Sequence, residues 1–299
     1  MKTLFALIER NVKLYFKDKG MFFTSLITPL ILLVLYATFL KNVFESSFRD
    51  ALAEAGVTLS DKILNGCVGG QLVSSLLAVS CITVPFCSNL LMVNDKISGA
   101  RRDLTVAPTK PATLALAYYI STLCSSLIIS LAATFVCFGY LAIIGWCLSF
   151  VDVLCIIGDV ILLVLFGTAL SSCVNFALKT NGQASAVGTI VSAGYGFICG
   201  AYMPIHSFSP ALQKVLSFLP GTYGTSLIRN HCMRGSFSQM EDLGFPPAVM
   251  DDMRKSVDCN LSFFGNKIET PAMFLIVFIS ILVLVGIYVI LNVLSKKKK

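Results

Sequence analysis

Charge is what this sequence has least of. Only 13% of its 299 residues are Asp, Glu, Lys or Arg, against roughly 25% in a soluble domain, so lipid is the expected solvent for most of the chain. The net charge of +7 does not point to nucleic acid, because the basic residues sit at the ends of apolar runs, where membrane orientation puts them. The 11 cysteines form no C-x-x-C pair and no Cys/His cluster, so no metal site is expected. Most of them (Cys81, Cys87, Cys124, Cys137, Cys155, Cys173, Cys199) fall inside apolar runs, as small apolar residues of a helix bundle. Cys232 and Cys259 fall in a longer polar region, where a disulfide and two free thiols are equally open readings. The phosphate-binding pattern G-x-x-x-x-G-K-[ST] is missing, so hydrolysis of ATP by that route is excluded. No nucleophile–base pairing suggests an enzyme, and no ring of charge or carbonyl-rich loop suggests a channel filter.

What is present is apolar. The expected fold is an all-α polytopic membrane protein with six spans, at about 21–40, 66–94, 112–146, 151–178, 182–202 and 270–294, each near the ~20 residues that cross a ~30 Å core. Residues 1–20 precede them as an amphipathic interface helix. Leu4, Ile8, Val12 and Tyr15 recur at helical spacing there, while Arg10, Lys13 and Lys17 face anionic headgroups. Pro29 and Pro85 are expected to kink the first two spans. Asp159, inside the fourth, is an intramembrane acid expected to pack between helices or face a wet cavity. In the fifth, Gly188, Ser192, Gly196 and Gly200 follow at four-residue spacing, a stripe that lets helices approach closely. Residues 204–234 stay apolar but carry Pro204, His206, Pro210, Pro220, Gly221 and Gly224, which predicts a re-entrant helical hairpin shielded by protein. A polar external segment, 235–269, follows.

Between the second and third spans lies a charged loop, residues 95–111. It holds Asp95, Lys96, Arg101, Arg102, Asp103 and Lys110, together with Gly99, Leu104, Pro108 and Pro111. Putting it on one side with the N-terminus, Lys179 and Lys296–Lys299 collects most of the basic residues there, which predicts cytoplasmic N- and C-termini. A charged loop held between two spans is a natural docking surface for a soluble partner.

Three features resemble the permease subunits of type-2 ATP-binding-cassette (ABC-2) exporters. Lys17-Asp18-Lys19 closes the basic amphipathic segment directly before the first span. The loop reads Asp95-Lys96-x-x-Gly99, then Leu104 and Pro108. Gly200-Ala201-Tyr202-Met203-Pro204 ends the fifth span and is followed by Leu219-Pro220, Tyr223 and Arg229. Together they cover nearly the whole chain in the family's order.

The resemblance implies a permease dimer, homodimeric or paired with a related chain, embedded in lipid of the plasma membrane and driven by separate cytoplasmic ATPase subunits. ATP and Mg²⁺ would sit on those subunits, and no cofactor is expected on this chain. Asp95, Lys96, Gly99, Arg101, Arg102, Asp103, Leu104 and Pro108 would couple to the ATPase. Gly196, Gly200, Tyr202, Pro204, Pro220, Tyr223 and Arg229 would form the gate and path. The substrate class implied is lipophilic or amphipathic: a drug or antibiotic, a peptide or a lipid. The segments 41–65 and 235–269 are longer than in compact polysaccharide- or teichoic-acid-type members, which sets that substrate class behind the others. An ATP-independent secondary transporter is the competing class; it predicts repeated halves with paired broken spans, and no such repeat is visible.

Overall fold

The computed structural model describes residues 2–54, 59–106 and 110–297. Helix α1 (Lys2–Lys17) turns through 76° into α2 (Lys19–Leu35). The corner is set by Asp18, whose side chain accepts the Met21 N–H at 3.1 Å and so caps α2. α2 carries Pro29 without interruption and passes through a π-helical turn, Tyr36–Leu40, into α3 (Lys41–Glu54). α4 (Asp61–Ser88) also continues through its proline, Pro85, and gives way at Asn89 to α5 (Leu90–Ile97) and α6 (Ala100–Val106). α7 (Pro111–Ile144) opens on a proline at its first turn, where the missing N–H costs nothing. α8 (Phe150–Ala177) opens on a capping box between Ser149 and Asp152. α9 (Asn181–Ile198) is capped by Thr180, whose hydroxyl accepts the Gln183 N–H.

After α9 come a 3₁₀ turn (Ile205–Ser207), α10 (Pro210–Leu216), α11 (Pro220–Asp242) and α12 (Pro247–Ser256). A short antiparallel hairpin, β1 (Leu261–Phe263) with β2 (Asn266–Ile268), leads into α13 (Thr270–Lys297). The expected all-α fold therefore holds apart from one small hairpin. Residues 235–269 are ordered, holding the end of α11, α12 and this hairpin.

Among the described residues, four helical stretches are long and apolar enough to span a membrane: Asp61–Ile97, Pro111–Ile144, Phe150–Ala177 and Thr270–Leu294. The bent α1–α2 pair makes a fifth if counted as one span. The chain is thus a multi-pass membrane protein. α9, the expected fifth span, falls short of that test among the described residues, because Asn181, Gln183, Ser185, Thr189 and Ser192 dilute its apolar positions.

The bundle is arranged around α4. Its most apolar window is 94% buried, against 17% for α13, so α4 is a protein-facing pillar while α13 leaves most of its surface outside the bundle. α2, α7, α8, α9 and α11 all pack on it. Close approach depends on small residues: a Cβ on Gly70 would meet the Cys232 carbonyl at 2.8 Å, and one on Gly167 the Cys81 carbonyl at 2.5 Å. Apolar residues of α4, α8, α11 and α13 form one continuous core, which includes Leu77, Ile82, Leu163, Ile228 and Val277.

Candidate functional site

The residues singled out by sequence gather at two places along α4–α5. At the α5–α6 end, Asp95 is almost fully buried. Its carboxylate accepts from both guanidinium nitrogens of Arg10, at 2.8 and 3.2 Å, and from the Tyr118 hydroxyl at 2.6 Å. This fork fastens α1 to α5 and α7, and bidentate charge-assisted bonds of this kind are the strong ones. Lys96 turns the other way: its Nζ donates to the carbonyls of Asn175, Phe176 and Leu178 at 2.9, 2.7 and 3.2 Å. Those carbonyls end α8, where a cation also complements the helix dipole. The Phe176 ring lies 5.3 Å from the Lys96 ammonium and 5.8 Å from the Arg101 guanidinium.

Asp95 and Lys96 are thus consumed inside the chain rather than presented to a partner. The surface of this end is carried by Arg102 and Asp103, with Arg101 half-buried. Gly99 makes the turn between α5 and α6 at φ +86°, a left-handed conformation that a side chain resists. Leu104 packs with Leu4, Ile8 and Phe176 around Met92 and Tyr118. Lys13 and Lys17 are exposed on α1, Lys13 in an ion pair with Glu9. Pro108 lies outside the described residues.

The second cluster forms where α9 ends, and its hub is Arg229. This side chain is fully buried, on α11. It donates to the Gly200 carbonyl at 2.8 Å, the Val257 carbonyl at 2.9 Å and the Ser75 hydroxyl of α4 at 3.2 Å. The Asp258 carboxylate stands 3.6 Å away and itself accepts the Ile205 and His206 N–H groups at 2.5 and 3.3 Å. One guanidinium thus ties together α4, the end of α9, the 3₁₀ turn and the loop after α12.

The other expected gate residues surround it. Gly200 takes φ +72°, and a Cβ there would meet Ile205 at 2.8 Å. Tyr202 folds back over Gly196, on which any Cβ would overlap its ring, and its N–H reaches the Gly196 carbonyl at 3.0 Å. Pro204 precedes the 3₁₀ turn and Pro220 starts α11. The Tyr223 hydroxyl donates to the Ser217 carbonyl at 2.6 Å. The small-residue stripe is therefore divided. Tyr202 of the same chain fills Gly196, while Gly188 and Ser192 line an open cleft of about 630 Å³ shared with Cys87, Leu90 and Asn94. Tyr36, in the π-helical turn, is buried.

The residue that sequence reading missed is His231. Asp159 does not stand alone: its carboxylate lies 2.5 Å from the His231 Nδ1, joining α8 to α11. Two turns earlier on α8, buried Asp152 pairs with Arg234. These pairs lie 72 and 82 residues apart in sequence, so only the antiparallel packing of α8 on α11 discloses them. α11 runs past residue 234 to Asp242 beside α4 and α8, instead of closing a hairpin there. Cys232 and Cys259 are free, buried thiols in this structure. Cys232 sits inside the helix bundle, in the packing between α11 and α4, rather than in a polar loop. Burial pushes the Cys259 thiol up to about 12.

Beside the Arg229 cluster opens a polar cavity of about 500 Å³, between α10, α12 and the hairpin. Lys255 pairs with Asp251 at 2.6 Å on its rim and holds that carboxyl below the usual range. Among the described residues no group of His, Cys, Asp and Glu could hold a metal ion.

No curated protein matches the chain. The model of the ABC-2 type transporter family does, over residues 2–231, a stretch that takes in the α5–α6 cluster and the second cluster up to Arg229 and His231, with Val257 and Asp258 beyond it. With buried helices joining two polar clusters, and with that match over most of its length, the chain belongs to the ABC-2 type transporter family, as the membrane permease component of a transporter rather than a catalytic one.

Proposed function

We propose that this permease exports a lipophilic or amphipathic substrate, driven by a separate ATPase subunit that docks on the α5–α6 end. The observation that carries this reading is that one buried element, α4 with its continuation α5, links the docking end to the Arg229 cluster. An ATPase can bias the permease only through contacts that differ between two states. A push on Arg102 and Asp103 would reach α8 through Lys96, and α1 and α7 through Asp95. Ser75 would carry it to Arg229, where the ends of α9, α11 and α12 meet as the gate. The uncharged cleft along α9, lined by Ser185, Thr189 and Ser192, suits an amphipathic molecule.

In this reading the α5–α6 end and both termini face the cytoplasm, α9 completes a set of six spans, and two copies or paired chains form the path in the plasma membrane. ATP and Mg²⁺ belong to the ATPase. The deciding experiment is co-purification of the permease with its ATPase, and transport by the complex, with Arg102→Glu and Asp103→Lys combined. Association and transport should both be lost; a complex that still forms and transports refutes docking at this end.

A second reading is favoured by Asp159 and His231, a titratable pair inside the bundle: proton-coupled transport without an ATPase. It predicts uptake into ATPase-free vesicles driven by a proton gradient and abolished by Asp159→Asn.

A further inference from the structure

We infer that the β-hairpin and α10 form an aromatic foot that rests in the membrane leaflet nearest α12, a lipid-binding surface distinct from the lipid-facing walls of the spans. The hairpin closes with the pair Phe263 and Asn266, leaving Phe264 and Gly265 as its two turn residues. Both have positive φ, +49° and +86°, the pattern of a turn that favours Asn-Gly or Asp-Gly. Gly265 fits that rule and Phe264 breaks it. A bulky aromatic in the left-handed region is an outlier, and such strain persists where a function holds it. Here the strained residue is also 59% exposed. A turn meeting only water would gain nothing from phenylalanine at that place.

Phe264 is not isolated. Its ring packs edge-on against Phe263 at 4.8 Å and against Phe218 at 5.9 Å, and Phe218 is 64% exposed. Leu212 and Val215 of α10, the helix just before Phe218, are exposed as well, and Lys214 lies exposed on the same helix and Lys267 on the hairpin. An apolar face with lysines beside it is the composition of an interfacial element, whose ammonium groups reach headgroups while the apolar part enters the acyl boundary.

Its position fixes lipid as the occupant. Phe218 stands just before α11, whose Gly221 abuts Tyr195 and Cys199 at the end of α9. Glu269 alone separates β2 from α13, and the first turns of α13 present exposed Phe274, Leu275 and Phe278. The foot is therefore tied, through the single residue Glu269, to the start of the membrane-spanning helix α13, whose first turns are themselves apolar and exposed. This inference rests on the chain's being a membrane protein and on neither export nor ATPase coupling, so either of those can fail without it.

The test is fluorescence of the full chain in phosphatidylcholine vesicles carrying Phe264→Trp or, separately, Phe218→Trp. The natural chain has one tryptophan, Trp146, whose signal is subtracted. In each variant the added indole should emit to the blue and lose intensity when the acyl chains are brominated close to the headgroup. Quenching by aqueous iodide without quenching by bromolipid would overturn the inference, placing the foot in water. Protection from both quenchers would overturn it as well, showing the patch covered by a second copy or another protein. Two independent positions keep the result readable if one variant folds poorly.

Discussion

Replacing Arg229 by alanine should be the most damaging single change at the gate cluster. It removes the donors to Gly200, Val257 and Ser75 and leaves the Asp258 carboxylate, 4% exposed, without its guanidinium. Breaking a buried pair from one side costs about 3–5 kcal/mol, because the stranded charge and carbonyls lose partners that water cannot fully replace. In a chain of this size that lowers the melting temperature by on the order of 10 °C. Arg229→Lys keeps the charge, but a single ammonium cannot fork towards three acceptors, so it should fall between alanine and the parent. Ser75→Ala deletes one acceptor of three and should cost about 1 kcal/mol.

The assay is thermal unfolding of the purified permease, followed by Trp146 fluorescence, with Arg229→Ala/Asp258→Asn closing a double-mutant cycle. The double variant should be less destabilised than the two single changes added together, because Asp258→Asn removes the charge that Arg229→Ala strands. An Arg229→Ala protein melting within about 2 °C of the parent, or strict additivity in the cycle, would refute the hub.

Other consequences are local. Gly235→Ala should severely destabilise the bundle, since its Cβ would overlap the Cys147 backbone, whereas Gly139→Ala, with open space around it, should be neutral or add up to about 1 kcal/mol of helix stability; melting temperatures of the two separate the cases. Lys96→Met strips the cation from the last carbonyls of α8 and should cost about 2 kcal/mol; hydrogen exchange in residues 173–180 should quicken, and unchanged exchange refutes the contact. Cys259, with its thiol pushed up to about 12 by burial, should stay unalkylated by iodoacetamide at pH 8 until the protein is unfolded; mass spectrometry of the native protein showing it modified would contradict that burial.

Much of this architecture was legible because membrane helices announce themselves locally. The uncharged runs gave α4, α7, α8 and α13, and the interleaved lysines gave α1. Pro220, Tyr223 and Arg229 could be grouped from motif order; all three lie on α11, and Arg229 does bond the Gly200 carbonyl. Burial was harder to read. α4 is apolar on every side, so no periodic face declares that it avoids lipid. Asp95 and Lys96 look like surface charge in a loop, but their partners Arg10, Tyr118 and the α8 carbonyls come from distant segments. Glycine and serine dilute the apolar signal of α9 relative to the other expected spans, and α11 runs on to Asp242, past the expected end of the hairpin at 234, because its partners on α4 and α8 are distant in sequence. Phe264 gave no signal at all, since its meaning lies in a backbone angle.

The enclosure of α4 also bears on how such chains change over generations. A helix bathed in lipid can exchange leucine, isoleucine, valine and phenylalanine almost freely, since hydrocarbon accepts any of them. α4 has no such latitude. Gly66, Gly69 and Gly70 each press against a neighbour, and Gln71, Ser74, Ser75, Ser80 and Thr83 are all buried along it. Its residues are chosen by five other helices rather than by the bilayer. Sequence drift should therefore be slow along α4 and fast along α13, and a change tolerated in α4 should tend to arrive with a compensating one in α7, α8 or α11.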